Sequence, residues 1–403
     1  MQDTQVAGAL ATTAAELDAQ DELAFLRRRF HLPDEEVYCE STCLGPLPVN
    51  VPQEMARTVA QEWGRGLLSS WWEAGWWDAP RRVGDKVGRL VGAAPGRTVV
   101  GDSTTVQLFN ALVAAARLRP ERRTLLAPTT QFTTVRYITD SVARLLGLRV
   151  RRVAPAELSA ALGAEGDDVA VLVHEAVDFR TGEAHDLAGL TRAAHAAGVV
   201  CLWDLSHGAG VLPVGLDVHD VDFAVGCTYK YLCGGPGAPA FLYVNARHQD
   251  AVDQPLPGWT GHAEPFAMRD VYHPAEGIDR GRIGTPSILS MIALEHALDA
   301  YEGVTIEQIG ARGRSLTGFF LTCADELLTP QGVGVATPRE PQSRAGHMAV
   351  RHPDAEDIIG RLRKRGVYAD RRPPDLMRFG LHPLFCTHRE VLRVVTEITE
   401  VIA

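Results

Sequence analysis

Short apolar runs alternate with amphipathic stretches along this chain from about residue 97 to residue 244. Arg97-Thr98-Val99-Val100-Gly101, Arg123-Thr124-Leu125-Leu126-Ala127, Val169 to His174, Val199 to Asp204, Phe223 to Cys227 and Gly237 to Val244 read as strands. Most are apolar nearly throughout, the pattern of strands buried on both faces. Between them, Thr105 to Leu118, Val135 to Leu146 and Leu187 to Ala197 read as helices. The alternation predicts an α/β fold with a mostly parallel sheet covered by helices.

The flanks follow other rhythms. Residues 1–30 read as a polar, helix-prone arm, with a turn at Leu32-Pro33-Asp34. Residues 52–70 have a helical pattern that puts Trp63 and the Leu67-Leu68 pair on an apolar face. Ser70 to Asp78, SWWEAGWWD, is aromatic-dense and broken by glycine, so it reads as a loop. Beyond about residue 290 come a helix at Leu289 to Ala300 and candidate strands at Met348-Ala349-Val350 and Gly366-Val367-Tyr368-Ala369. The expected organisation is an arm over 1–60 that joins the small domain, a large cofactor-binding domain over 61–290, and a small α+β domain over 291–403.

Composition narrows the function classes. The 403 residues are 46% hydrophobic and 22% charged, ordinary for a globular protein with a substantial core. The net charge of −10, with no basic stripe, argues against a nucleic-acid partner. Cys39, Cys43, Cys201, Cys227, Cys233, Cys323 and Cys386 are scattered and form no CxxC pair, which suits reduced thiols in the cytoplasm. The first residues lack a signal peptide's basic and apolar regions. No run approaches the roughly 18 apolar residues of a membrane span. A soluble, cytoplasmic protein with no membrane partner is expected.

The chemistry concentrates in two segments. Thr228-Tyr229-Lys230 follows Trp203-Asp204-Leu205-Ser206-His207, with Lys230 26 positions after Asp204. A lysine and an aspartate at the ends of neighbouring buried strands read as a pyridoxal-phosphate (PLP) site. The lysine would hold the cofactor as a Schiff base, and the aspartate would sit under its pyridine nitrogen. Gly101-Asp102-Ser103-Thr104-Thr105, at a strand-to-helix turn, offers hydroxyls and free N–H groups to a phosphate. Serine or threonine there serves equally as a helix cap.

Together these residues resemble kynureninase, a PLP-dependent family of fold type I, the aspartate aminotransferase superfamily. The resemblance runs through RRVGDK at Arg81 to Lys86, WDLSHGA at Trp203 to Ala209, and VDFAVGCTYKYLCGGPGAPA at Val221 to Ala240. It continues through GWTGHAEPF at Gly258 to Phe266, Gly284-Thr285-Pro286, and MRFGLHPLF at Met377 to Phe385. It implies that Lys230 bonds the cofactor and moves the Cα proton, that Asp204 pairs with the pyridinium, and that His207 supports it. Thr104, Thr105, Tyr229 and Trp259 would hold the phosphate, Phe132 would stack on the ring, and Thr285 would reach in from the second subunit of a homodimer with shared sites. Tyr229 would be a candidate acid. Arg378 would grip the carboxylate of a small-molecule amino-acid substrate, with Cys43 and Trp72 near its side chain. No metal is implied.

Several positions depart from the family pattern. Asn-Ser-Leu-Gly is here Thr42-Cys43-Leu44-Gly45, Ser-Trp-Asn-Ser is Ser70-Trp71-Trp72-Glu73, and Phe-Pro-Thr-Asp is Phe132-Thr133-Thr134-Val135. Asn-Tyr-Arg-Thr-Gly is Asp178-Phe179-Arg180-Thr181-Gly182, and Leu-Asn-Gly is Leu232-Cys233-Gly234. Cofactor residues persist while those facing the substrate's side chain change, which implies altered side-chain recognition. The leading expectation is hydrolytic Cβ–Cγ cleavage of kynurenine or a derivative to alanine and an anthranilate. The alternative is a specialised-metabolite enzyme using the same cofactor, such as a C–S β-lyase or a decarboxylation-coupled oxidative deaminase of a cysteine conjugate. A sensor domain of a transcription regulator would need a DNA-binding module, and no basic helix-turn-helix pattern precedes the sheet. No G-x-G-x-x-G follows a strand and no P-loop occurs, and HEAVD at His174 is not H-E-x-x-H.

Overall fold

A computed structural model of the protein describes residues 2–33 and 35–402, so the turn expected at Leu32-Pro33-Asp34 ends on a residue outside them. Seven strands form the main sheet: β1 (Thr98–Val100), β2 (Thr124–Pro128), β3 (Arg149–Val153), β4 (Val169–Glu175), β5 (Val200–Asp204), β6 (Phe223–Gly226) and β7 (Phe241–Val244). Their order in space is β1-β7-β6-β5-β4-β2-β3. Only β7 runs antiparallel, to β1 and β6; the remaining pairs are parallel. Every residue of β1, β2, β4, β5, β6 and β7 is buried, which is why these segments read as continuous apolar runs.

Helices cover the sheet. Thr104–Arg117 (α1) presses Leu108, Ala111, Leu112 and Ala115 onto it, and the small alanines let the helix come close. Ser103 caps α1, its side chain accepting the Val106 N–H. Thr133–Leu146 (α2) follows β2 and Leu187–Ala196 (α3) follows β4. The C-terminal part is a four-stranded antiparallel sheet of β8 (Gly334–Val335), β9 (His347–Arg351), β10 (Asp370–Arg372) and β11 (Leu376–Gly380), in the order β8-β9-β11-β10. Two helices, Ile306–Leu327 (α4) and His388–Ile402 (α5), pack together beside it. The N-terminal helix Gln2–Ala19 lies on α5, and Val37–Tyr38 pairs with Val367–Tyr368.

The α/β class and mostly parallel sheet are those the sequence predicted. The differences have physical causes. Strand β3, RVRRV, was not expected, because an edge strand with arginines on its open side has no apolar run. SWWE at Ser70–Glu73 forms one helical turn rather than loop. Residues 51–69 are helical, but Trp63, Leu67 and Leu68 are exposed, so their apolar face points away from the core.

Candidate active site

The C-terminal edges of the parallel strands meet the start of α1 to form one cavity of about 100 Å³. Thr104 and Thr105 line it from the first turn of α1, Phe132 from the start of α2, Asp204 from the end of β5, and His207 from the turn beyond. Tyr229 and Lys230 enter from the loop after β6. Seven residues named from sequence are thus brought together. Lys230 Nζ lies 3.1 Å from His207 Nε2 and 5.7 Å from the centre of the Phe132 ring. Asp204 Oδ1 accepts the Ser206 N–H at 2.8 Å, which fixes the carboxylate.

The loop holding Lys230 is anchored on several sides. Thr228 Oγ1 donates to the Pro239 carbonyl at 2.6 Å, and the Gly45 N–H donates to the Tyr229 carbonyl at 2.8 Å. A Cβ on Gly45 would stand 2.3 Å from the Lys230 carbonyl oxygen, so only glycine lets the arm lie this close. Tyr301 Oη donates to the Tyr231 carbonyl at 2.7 Å.

Burial dominates the electrostatics. It pushes His207 well below the usual imidazole range, and Lys230 and Arg378 push the same way. A neutral His207 whose Nε2 accepts from the Lys230 amine carries its proton on Nδ1. Burial also keeps the Tyr229 phenol protonated far above neutral pH. Glu175, which sequence reasoning passed over, closes β4 in register with Asp204 and accepts the Phe132 N–H at 3.2 Å. Burial, then Asp178 and Asp204, push its carboxyl well above the usual carboxylate range. A polar residue ending an apolar strand beside Asp204 was the signal that could have found it.

Arg378 and Cys43 lie together, in an arrangement the sequence did not foresee. Arg378 is fully buried, and its Nε and Nη2 grip Asp370 at 2.9 and 2.6 Å. Its Nη1 donates to the Phe179 carbonyl at 2.5 Å, and Cys43 Sγ is 3.4 Å from Nη2. Arg372 reaches the same Asp370 carboxylate at 2.9 Å. The open guanidinium fork expected at Arg378 is therefore closed by Asp370. Trp259, Thr285 and Trp72 do not line the cavity. Trp259 Nε1 lies 3.3 Å from Thr285 Oγ1, and Trp72 and Trp259 join Trp77 and Phe266 in an aromatic cluster.

This cavity suits PLP on its own chemistry. A helix start with two hydroxyls could hold a phosphate, a fixed carboxylate could meet a ring nitrogen, an aromatic side chain could cover a ring face, and an amine could bond an aldehyde. The comparisons point the same way. Residues 309–398 match the family model described as the kynureninase C-terminal domain. The chain is 41% identical to a kynureninase of Deinococcus radiodurans over 96% of its length and 95% of the relative's. It is 39% identical to a kynureninase of Pseudomonas fluorescens over 96% of its length and 94% of the relative's. Among solved structures, a C-DES variant with glycine covalently linked to its PLP cofactor superposes with a TM-score of 0.81. It is 17% identical, covering 93% of this chain and 99% of that one. The cysteine desulfurase of Thermococcus onnurineus NA1 superposes at 0.79 with 18% identity, covering 94% and 97%. At such identities these structures speak to the fold, which is that of PLP-dependent fold type I.

Proposed function

This chain belongs to the kynureninase family and is a PLP-dependent enzyme of kynureninase type, and on that premise we propose that it hydrolyses the Cβ–Cγ bond of kynurenine or a ring-substituted derivative. One water is consumed, and alanine and the matching anthranilate leave. The observation that carries this reading is the convergence of Thr104, Thr105, Phe132, Asp204, His207, Tyr229 and Lys230 on a single cavity. When bound there, the cofactor supplies an electron sink for charge at Cα.

Each residue's task follows from its place. The start of α1 would bind the phosphate and fix one end of the ring. Phe132 would cover a ring face, its backbone held by Glu175. Asp204 would meet the ring nitrogen. Lys230, the amine inside the cavity, would take the proton from Cα and return it at the end. Tyr229, protonated at neutral pH, would donate a proton beside it. Arg378 and Arg372 share the single carboxylate of Asp370, which leaves one positive charge for the substrate's carboxylate.

We read the working form as a homodimer in the cytoplasm. Trp259 and Thr285 line no part of this chain's own cavity, as residues contributed to a partner's site would not. The seven free cysteines suit a reducing compartment.

The test is a product assay. PLP-loaded protein is incubated with L-kynurenine and with 3-hydroxykynurenine, and alanine and the anthranilate are measured, with Lys230→Ala as control. Turnover that vanishes in the control is expected. Intact cofactor binding with no turnover would overturn kynurenine as the substrate and direct the search to β-substituted amino acids such as cysteine conjugates.

A further inference from the structure

His347 is an imidazole without a protein partner in the middle of the molecule. It opens β9, is fully buried, and neither ring nitrogen meets a hydrogen-bonding group among the described residues. A neutral imidazole has one donor and one acceptor, and burying either unpaired is unfavourable. Phenylalanine or leucine would fill the space without that penalty, so packing alone does not explain a histidine here.

Its neighbours indicate a purpose. The ring stands 5.8 Å, centre to centre, from that of His207, whose Nε2 is 3.1 Å from Lys230 Nζ. Lys230, His207 and His347 thus form a row from the loop after β6 to the C-terminal sheet. The charged and titratable groups facing His347 are Arg378, Lys230 and Arg372, with His207 beside it. Burial and those cations push the ring well below the usual imidazole range, as they do His207, so His347 meets His207 by ring contact rather than by charge. The backbone makes room for it. A Cβ on Gly182 would lie 2.3 Å from the His347 carbonyl oxygen and 3.2 Å from its ring, and Gly182 has φ +76°.

We propose that His347 is a positioning residue: its ring packs against that of His207 and holds it in place against Lys230 from the C-terminal sheet. The proposal rests on the PLP reading of the cavity. It adds a residue from a different sheet to the machinery around the lysine and makes the placement of β9 a condition for a competent amine.

A double-mutant cycle tests it. Cofactor-stripped wild type, His347→Phe, His207→Asn and the double variant are each titrated with PLP, and the absorbance of the Lys230-linked cofactor is followed against concentration and pH. We expect His347→Phe, which puts a larger and wholly apolar ring against His207, to weaken cofactor binding about tenfold and to move the pH midpoint of the absorbance. In the His207→Asn background the same change should cost little further, because the two act through one another. His347→Gln, which keeps polar atoms, replaces His347→Phe should the latter not fold, and should recover part of the affinity. Unchanged affinity and midpoint in His347→Phe, even with lower thermal stability, would overturn the proposal. So would an equal loss with and without His207. Absence of any Lys230-dependent absorbance in the wild type would instead overturn the cofactor reading, and His347's role with it.

Discussion

At the scale of single residues, Arg378 has the most to lose. A fully buried guanidinium is tolerable only because Asp370 and the Phe179 carbonyl satisfy it. Arg378→Lys removes the flat fork but keeps the charge, and a lysine cannot bridge both oxygens of Asp370. Breaking one partner of a buried pair costs about 3–5 kcal/mol. We therefore expect a stability loss at the low end of that range, seen as a lower urea midpoint, together with a raised KM. A variant as stable as wild type would mean that Asp370 is held by Arg372 alone. The arginine itself was legible within MRFG. Its partner was not, because Asp370 meets Arg378 only through the antiparallel register of β10 and β11.

At the scale of elements, the loop after β6 depends on the N-terminal arm. The Gly45 N–H bonds the Tyr229 carbonyl, and the backbones approach so closely that a single methyl group would collide with the Lys230 carbonyl and the Cys233 Cα. Gly45→Ala should push the arm and the lysine loop apart. The expected outcome is cofactor affinity lowered by tenfold or more, read by absorbance titration, with a stability loss of about 1–3 kcal/mol, as in overpacked sites. Wild-type affinity would show that the arm does not shape the loop. Sequence reading found the buried strands because each is apolar along its length, and missed β3 because an edge strand need not be. It also placed Trp63, Leu67 and Leu68 on an apolar helical face, and that face is exposed. A helical apolar stripe shows that something covers it, not that the same chain does.

At the scale of the whole molecule, that stripe becomes informative. Trp63, Leu67, Leu68, Trp72, Phe266, Met268 and Val271 are all exposed, and the Trp72 and Phe266 rings lie 6.2 Å apart. The proposed homodimer would cover such a surface and bring Trp259 and Thr285 to the neighbouring cavity. We expect the protein to sediment at about twice its 43.7 kDa, and Leu68→Glu to weaken the dimer and cofactor affinity together. A monomer that binds the cofactor with full affinity would rule out shared sites.

The sequence by itself determined the strand–helix alternation, hence the sheet, and through the strand ends the positions of Asp204, His207 and Lys230. Those follow from local pattern: apolar runs bury, and what comes just after a parallel strand faces the ligand edge. The tertiary structure alone decided what meets across sheets and across long stretches of chain. Asp370 closes the fork of Arg378, Gly45 lies under the lysine loop, Glu175 stands beside Asp204 with its carboxyl pushed above the usual range, and His347 abuts His207. Such contacts join residues up to hundreds of positions apart, and their energetics depend on burial and on neighbouring charge, which no one-dimensional pattern carries.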